Sequence, residues 1–242
     1  VAALPRFSQQ INRVLTWVVV GVFVVWVVGN FINAPKQFIS VFLLGITLGC
    51  IYALVALGYT LVYGIIELIN FAHGSVFMLG SMVALFFIAT VFKISASTAP
   101  VVLVGEILLI ILLTMTITSV INVSIERVAY RPLRHAPRLA PLITAIGVSF
   151  ILQNVGLVWK GSAPVNLENG LLPRGTIFSI GGADIRWNRL IVFLVTLPTL
   201  ALLVWLVQKT KQGKAMRAVA QDKDAAAIMG INVNRTISFT FL

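Results

Sequence analysis

Residues 57–80 read LGYTLVYGIIELINFAHGSVFMLG. The stretch is too apolar for a water-exposed loop, yet it contains Glu67, Asn70 and His73. Hydrocarbon offers a backbone no hydrogen-bond partners, so chain that leaves the helix inside a bilayer must find them in protein or in a water-lined cavity. Gly58, Gly64 and Gly74 punctuate the segment. A membrane helix interrupted by glycine, with polar groups between its halves, is one way transporters build a solute site near the midplane. The stretch is therefore predicted to be a discontinuous, re-entrant piece of membrane-embedded chain. The alternative is a loop dipping into the membrane interface, with its histidine bonded to a nearby carbonyl.

Composition sets the frame around it. Hydrophobic residues make up 59% of the 242-residue chain and charged residues 10%, with a mean hydropathy of +1.02. An ordinary soluble domain carries about 25% charged residues. Apolar runs of about 20 residues recur, the length a helix needs to cross roughly 30 Å of hydrocarbon. The predicted fold class is all-α: a polytopic membrane helix bundle forming a single transmembrane domain over residues 1–242. The net charge of +11 would suggest a nucleic-acid partner in a soluble protein. Here the basic residues gather in two short loops between apolar runs, which is the pattern of loops held on the cytoplasmic side. The expected non-protein partner is membrane lipid, and no nucleic acid is implied. One cysteine, Cys50, excludes an intramolecular disulfide.

In chain order, residues 14–31 form a first span entering from the cytoplasm. Residues 1–36 read as an extra N-terminal span rather than a signal peptide, because the apolar run is long and Asn33-Ala34-Pro35-Lys36 is a poor cleavage site. Residues 38–57 are the second span, with Gly45 and Gly49 in a GxxxG pattern that permits close helix contact. From 38 to 92 there is room for two crossings and a remainder of about fifteen residues, too few for a third. That remainder is 59–74, predicted to be re-entrant. Residues 75–92 then run outward, Lys93 to Pro100 form a short outer loop, and 101–121 return. Glu106 lies near the outer end of that span and is expected to snorkel outward rather than face the bundle interior.

Residues 126–138 (ERVAYRPLRHAPR) concentrate Arg127, Arg131, Arg134 and Arg138 with two prolines, and are expected to lie outside the lipid. Residues 139–159 are the next span; Gln153 and Asn154 near its outer end can bond to neighbouring helices or to a solute. In the loop 160–188, the alternating 176–180, the glycine turn Gly181-Gly182-Ala183-Asp184 and 185–187 predict a β-hairpin. Residues 189–207 re-enter, and a second basic loop, 208–235, follows. Two crossings separate the two basic loops, so both fall on one side. Arg6 and Arg13 join them there if 59–74 adds no net crossing. A last apolar run, 236–242, is about two turns long and cannot span, so further C-terminal helices are expected to be missing from the sequence.

Residues 213–232 (GKAMRAVAQDKDAAAIMGIN) are not built like a linker. Asp222 or Asp224 can cap a helix, Ala225, Ala226 and Ala227 favour one, and Gly230 can end it in the left-handed conformation. The result would be a helix of roughly two turns that presents Ile228 and Met229, shaped to fit a groove in a partner. The alternative is an interfacial helix lying on lipid.

Several strings now stand together: GCIYALVALGYTLVYGII at 49–66, LINFAHG at 68–74, SIERVAYRPLR at 124–134, Ala145-Ile146-Gly147 with Leu152-Gln153-Asn154, and the loop 213–232. In order and spacing, residues 37–242 resemble the LivH-type permease of branched-chain amino-acid ABC importers. The resemblance implies a multi-pass permease of the bacterial inner membrane with a cytoplasmic N-terminus. Its implied partners are a second, LivM-like permease subunit, two cytoplasmic ABC ATPases and a periplasmic solute-binding protein. It further implies a coupling segment that inserts into the ATPase, with Arg217, Ala218, Asp222, Asp224, Ala225, Ala226, Ile228, Met229, Gly230 and Ile231 as its residues. Tyr59, Tyr63, Glu67, Asn70 and His73 would line the translocation pathway. The chain departs from the family in its extra N-terminal span and in lacking the late glycine-rich helices.

No GxxxxGK[ST] phosphate loop occurs, which agrees with ATP-Mg being bound on partner subunits. No catalytic, metal or cofactor residues are expected on this chain. With two histidines, no HExxH and no GxSxG, an embedded enzyme is disfavoured. The expected solutes are hydrophobic or neutral amino acids, branched-chain ones included. Urea or short amides are the alternative within the family, and a stand-alone channel or secondary carrier the alternative outside it.

Overall fold

The computed structural model describes residues 6–67, 69–94, 100–134, 136–137, 139–163, 176–180 and 183–242. Helix α1 (Arg6–Asn33) meets α2 (Pro35–Ile66) through Ala34 alone. Proline opens α2 where its missing N–H leaves no intrahelical bond unmade. After a break at 67–71 comes α3 (Ala72–Phe86), which continues as a π-helical turn, Phe87–Val91. Helix α4 (Pro100–Ile125) is likewise extended by a π-helical turn, Glu126–Tyr130, and a 3-10 turn, Arg131–Leu133. Helix α5 (Leu139–Lys160) precedes an antiparallel hairpin of β1 (Thr176–Ile180) and β2 (Ala183–Arg186). Then follow α6 (Trp187–Lys209) and three short helices, α7 (Lys211–Gln221), α8 (Lys223–Ile228) and α9 (Val233–Phe241).

Among the described residues, 6 helical stretches are long and apolar enough to cross a membrane: Ile11–Asn33, Pro35–Ile66, Ala72–Val91, Val102–Leu133, Leu139–Lys160 and Arg189–Lys209. Their positions follow the predicted spans with shifted ends. The chain is a multi-pass helical membrane protein.

The predicted re-entrant segment is not seen. Residues 59–66 continue α2 without interruption through Gly58 and Gly64, so the 32-residue helix absorbs half of the chain assigned to that piece, and 72–74 begin α3. At 1.5 Å per residue, α2 is about 48 Å long. A glycine within a helix costs about 1 kcal/mol relative to alanine, whereas opening helix in hydrocarbon strands N–H and C=O groups at several kcal/mol each. Glycine alone therefore does not break α2. The break falls at Glu67, where φ 61° and ψ 23° put the backbone in the left-handed region and the Glu67 N–H closes on the Tyr63 carbonyl at 2.8 Å.

Helix α3 is the most enclosed span and packs against both α4 and α5. Small residues let the neighbours approach: a Cβ on Gly80 would sit 3.1 Å from Thr118, and one on Gly156 would sit 2.9 Å from Met78. By contrast, a Cβ on Gly45 or Gly49 would meet nothing within 4 Å outside its own helix, so the GxxxG pattern admits no close neighbour among the described residues. Glu106 also departs from expectation: its Oε2 is buried and has no hydrogen-bond partner among the described residues, so the side chain is not extended into solvent. Gln153 bonds across to Ser75 of α3 at 3.4 Å, while Asn154 bonds only to Phe150 of its own helix.

The hairpin forms as predicted, with Phe178 opposite Ile185 and Ser179 opposite Asp184. Trp187 belongs to α6 rather than to the second strand. The turn 181–182, residues 95–99 and 164–175 of the outer loops, Leu68, His135 and Arg138 lie outside the described residues.

The largest buried apolar cluster sits at the opposite end of the bundle. It joins Val62 and Ile65 of α2, Tyr130, Ala145 of α5, Val219 of α7 and Phe241 of α9. The same end carries the basic residues of 127–134 and 209–235 and is called the basic end below.

Candidate translocation and coupling sites

The break between α2 and α3 is organised by Asn70. Its Oδ1 accepts from the Ala72 N–H at 3.1 Å, and its carbonyl accepts from the His73 N–H at 3.1 Å. This is the local side-chain capping for which asparagine is suited, and it starts α3. His73 then lies in the first turn of α3 against Tyr59, the ring centroids 4.7 Å apart and nearly perpendicular. The Tyr59 hydroxyl accepts from the Gly74 N–H at 3.2 Å. Gly58 leaves room for the imidazole, since a Cβ there would lie 2.5 Å from His73 Nε2. Tyr59, Asn70 and His73 are thus brought together where α2 turns into α3. The other two predicted pathway residues are not: Tyr63 is 53% exposed on the outer face of α2, and Glu67 is exposed at its end.

Asn70 also reaches across the bundle. The Tyr130 hydroxyl donates to Asn70 Oδ1 at 2.7 Å, and the Tyr130 ring packs at a 45° tilt on Phe241 of α9. One turn before Tyr130 on the same π-helical stretch is Glu126, which is 0% exposed. Its carboxylate accepts from Arg134 through Oε1 and from the Ser238 hydroxyl through Oε2, the latter at 2.7 Å. Arg134 also donates to Asn234 Oδ1. Burial pulls the Arg134 guanidinium below its ordinary value, and the Glu126 carboxylate pushes it back up. An ion pair tied in this way pins α9 to the end of α4.

Sequence reading missed this network. The sequence predicts a cationic loop over 126–138, whereas π-helical and 3-10 turns carry α4 on to Leu133. The available signal was Glu126, the one acid in an otherwise basic run, with Arg134 eight positions on.

A cavity of about 400 Å³ opens beside this network. Asn70, Glu126, Tyr130 and Arg134 supply polar groups to its wall, and Val62, Ile66, Ala145, Ile237 and Phe241 supply apolar ones. Lys223, Asp224 and Ala227 of α8 and Asn234 of α9 complete it.

The segment 211–231 folds as two helices, not one. Thr210 caps α7 by accepting from the Gly213 N–H at 3.0 Å, and Arg217 donates to the Val207 carbonyl, tying α7 to the end of α6. Met216 and Val219 are buried against the bundle, with Ala218 partly so. Asp222, rather than Asp224, caps α8, its Oδ1 accepting from the N–H groups of Asp224 and Ala225 at 2.9 Å each. Gly230, at φ 81°, ends it; Gly230 N–H bonds to the Ala227 carbonyl and Ile231 N–H to that of Ala226, both at 3.0 Å. That pair of bonds is a Schellman cap. It turns Ala226 inward to 4% exposure and leaves Ile228 at 86% and Met229 at 82%. Asp224 and Ala225 are exposed, and Ile231 packs on the apolar cluster. Among the described residues no group of three or more His, Cys, Asp or Glu side chains is placed to hold a metal ion.

A polar break between two spans, a cavity of about 400 Å³ and an exposed apolar knob thus stand together in one multi-pass helical bundle. The chain belongs to the family described as the permease component of branched-chain amino acid transport systems, whose sequence model matches residues 41–242. It is 39% identical over 201 residues to the high-affinity branched-chain amino acid transport system permease protein BraD of Pseudomonas aeruginosa, an alignment covering 82% of this chain and 64% of that protein. It is 40% identical, with the same coverage, to the LivH permease proteins of Salmonella typhimurium and Escherichia coli K12. The chain thus spans 64% of the length of these relatives. No solved structure matches it. Helix α1 lies outside the matched residues, and its apolar window is 0% buried within the chain.

Proposed function

We propose that the chain is a permease subunit of an ABC importer that moves hydrophobic or neutral amino acids, branched-chain ones included, across the bacterial inner membrane. The observation that carries this reading is the match of residues 41–242 to the family, joined to relatives whose names specify branched-chain amino acid transport. The exposed pair Ile228 and Met229 on a capped helix gives ATPase subunits an apolar knob to engage. ATP-Mg is then bound on those subunits, and this chain is not itself catalytic. A second, LivM-like permease and a periplasmic solute-binding protein complete the assembly. The basic end faces the cytoplasm, as the distribution of Lys and Arg favours, which puts the N-terminus inside.

In this reading the polar break at Asn70 and His73, walled by Tyr59, lies beside the solute path. Displacement of α8 by the ATPases reaches the spans through α7, tied to α6, and through α9, tied to α4. The test is uptake by proteoliposomes holding this chain with the permease, ATPase and binding proteins encoded beside it. ATP-dependent accumulation of radiolabelled leucine, with urea and acetamide excluded, is the expected result. Accumulation of urea instead, or leucine uptake by this chain alone, would overturn it.

A further inference from the structure

The cavity at the basic end has a donor to offer. Asn70 is 5% exposed and lines the cavity, and its Nδ2 has no acceptor among the described residues. The amide orientation is fixed, because Oδ1 accepts from the Ala72 N–H and from the Tyr130 hydroxyl. Reversing it would set NH2 against a backbone N–H. Buried donors are normally paired, so Nδ2 calls for an acceptor oxygen from a ligand.

We propose that this cavity binds a neutral aliphatic α-amino acid from the cytoplasmic side, with its carboxylate accepting from Asn70 Nδ2 and its ammonium facing Asp224. The ammonium partner is Asp224, an exposed carboxylate on the cavity wall, because Glu126 is fully enclosed and already accepts from Arg134 and Ser238. The aliphatic side chain meets Val62, Ala145, Ile237 and Phe241. The volume of about 400 Å³ falls within the range of small-molecule sites, roughly 300–1,000 Å³. Lys223 and Asp224 put both signs of charge on the wall, which suits a zwitterion better than a net ion. The walls come from α2, α5 and the end of α4 on one side and from α8 and α9 on the other. An occupant therefore bridges the bundle and the coupling segment, and imported solute accumulating inside holds α8 in place and slows turnover. The inference rests on the permease reading above and adds to it an inward-facing solute site.

The test uses the transporter, assembled with its permease and ATPase partners in nanodiscs, without binding protein or nucleotide. Radiolabelled L-leucine should bind saturably. Competition by 4-methylpentanoate, which lacks the ammonium, and by 3-methylbutylamine, which lacks the carboxylate, should be at least about tenfold weaker than by leucine itself. Asn70→Asp keeps both acceptor contacts and removes the donor, and should weaken leucine binding about 10- to 100-fold. Ala145→Leu, which fills the apolar half, should weaken it as well; thermal unfolding of each assembly verifies that the variant is folded. No saturable binding to the wild type, or unchanged affinity in a folded Asn70→Asp, overturns the proposal. Leucine uptake without such binding overturns this site and leaves the permease reading intact. Binding with no uptake of any neutral amino acid does the reverse.

Discussion

Removing Glu126 tests whether the end of α4 holds α9 as described. The Glu126 side chain is 0% exposed and that of Arg134 18%, and the pair is reinforced by Ser238 and Asn234. Deleting one partner of a buried ion pair costs about 3–5 kcal/mol, because the remaining charge is left uncompensated. Arg134 retains some access to water and keeps its bond to Asn234, which points to the low end, about 3 kcal/mol for Glu126→Ala. Arg134→Ala leaves the more deeply buried member unpaired and should cost at least as much. Removing both charges together in Glu126→Met/Arg134→Met should cost under about 1 kcal/mol, since a buried ion pair is often no better than well-packed apolar side chains. The downward pull of burial on Arg134 points the same way. The assay is reversible unfolding in mixed detergent and SDS, with the four proteins compared as a double-mutant cycle. A Glu126→Ala loss below about 1 kcal/mol, or a double variant as unstable as the two losses summed, would refute the reasoning.

Three further outcomes follow from single contacts. Gly58→Ala should displace the His73 ring and cost about 1–3 kcal/mol, whereas Gly156→Ala meets only flexible methionine tips and should cost less, both read in the same unfolding assay. Gly230→Ala forces a side chain into the left-handed region at φ 81° and should cost about 1–2 kcal/mol. Ile228→Asp with Met229→Asp alters only exposed side chains and should leave stability within about 0.5 kcal/mol while reducing co-purification of the ATPase subunits; undiminished co-purification would count against the knob.

The spans were legible because hydrocarbon thickness imposes a length on any apolar run, and α5 and α6 fall almost where that length puts them. The cap of α8 was legible for a similar reason: Asp222, three alanines and Gly230 are local signals, and local signals survive folding. What failed was the reading of glycine as a breaker. Gly58 and Gly64 read in the sequence as interruptions of the helix, but in a medium without competing hydrogen bonds they serve instead to admit a neighbour or lie open, and the helix persists. The break waits for Glu67, whose left-handed backbone closes α2 on the Tyr63 carbonyl, and for Asn70, whose side chain begins α3 with its own hydrogen bond. Tyr63 and Glu67 were grouped with Asn70 by proximity in sequence, yet the helical turn carries Tyr63 to the outer face.

The Glu126 network was illegible for another reason. Its partners Arg134 and Ser238 lie 8 and 112 positions away, and no periodicity links them. Only the tertiary structure shows that one hydrogen-bonded course runs from Ser238 of α9 to Glu126, and that Tyr130, one turn on, bonds to Asn70 at the start of α3. Such a course has a consequence for coupling. In the proposed importer, a motor pushing on α8 would act on a six-residue helix that is too short to store much strain and is fixed to α9 by its Schellman cap and the residues that follow. The displacement would then pass to α9, and from there to the end of α4 and the Asn70 break. If that path carries the motion, Tyr130→Phe, which removes a single hydroxyl and leaves the ring on Phe241, should weaken the coupling of ATP hydrolysis to uptake more than it lowers stability, a loss of about 1 kcal/mol. Full coupling in that variant would mean the motion travels through α7 and α6 instead.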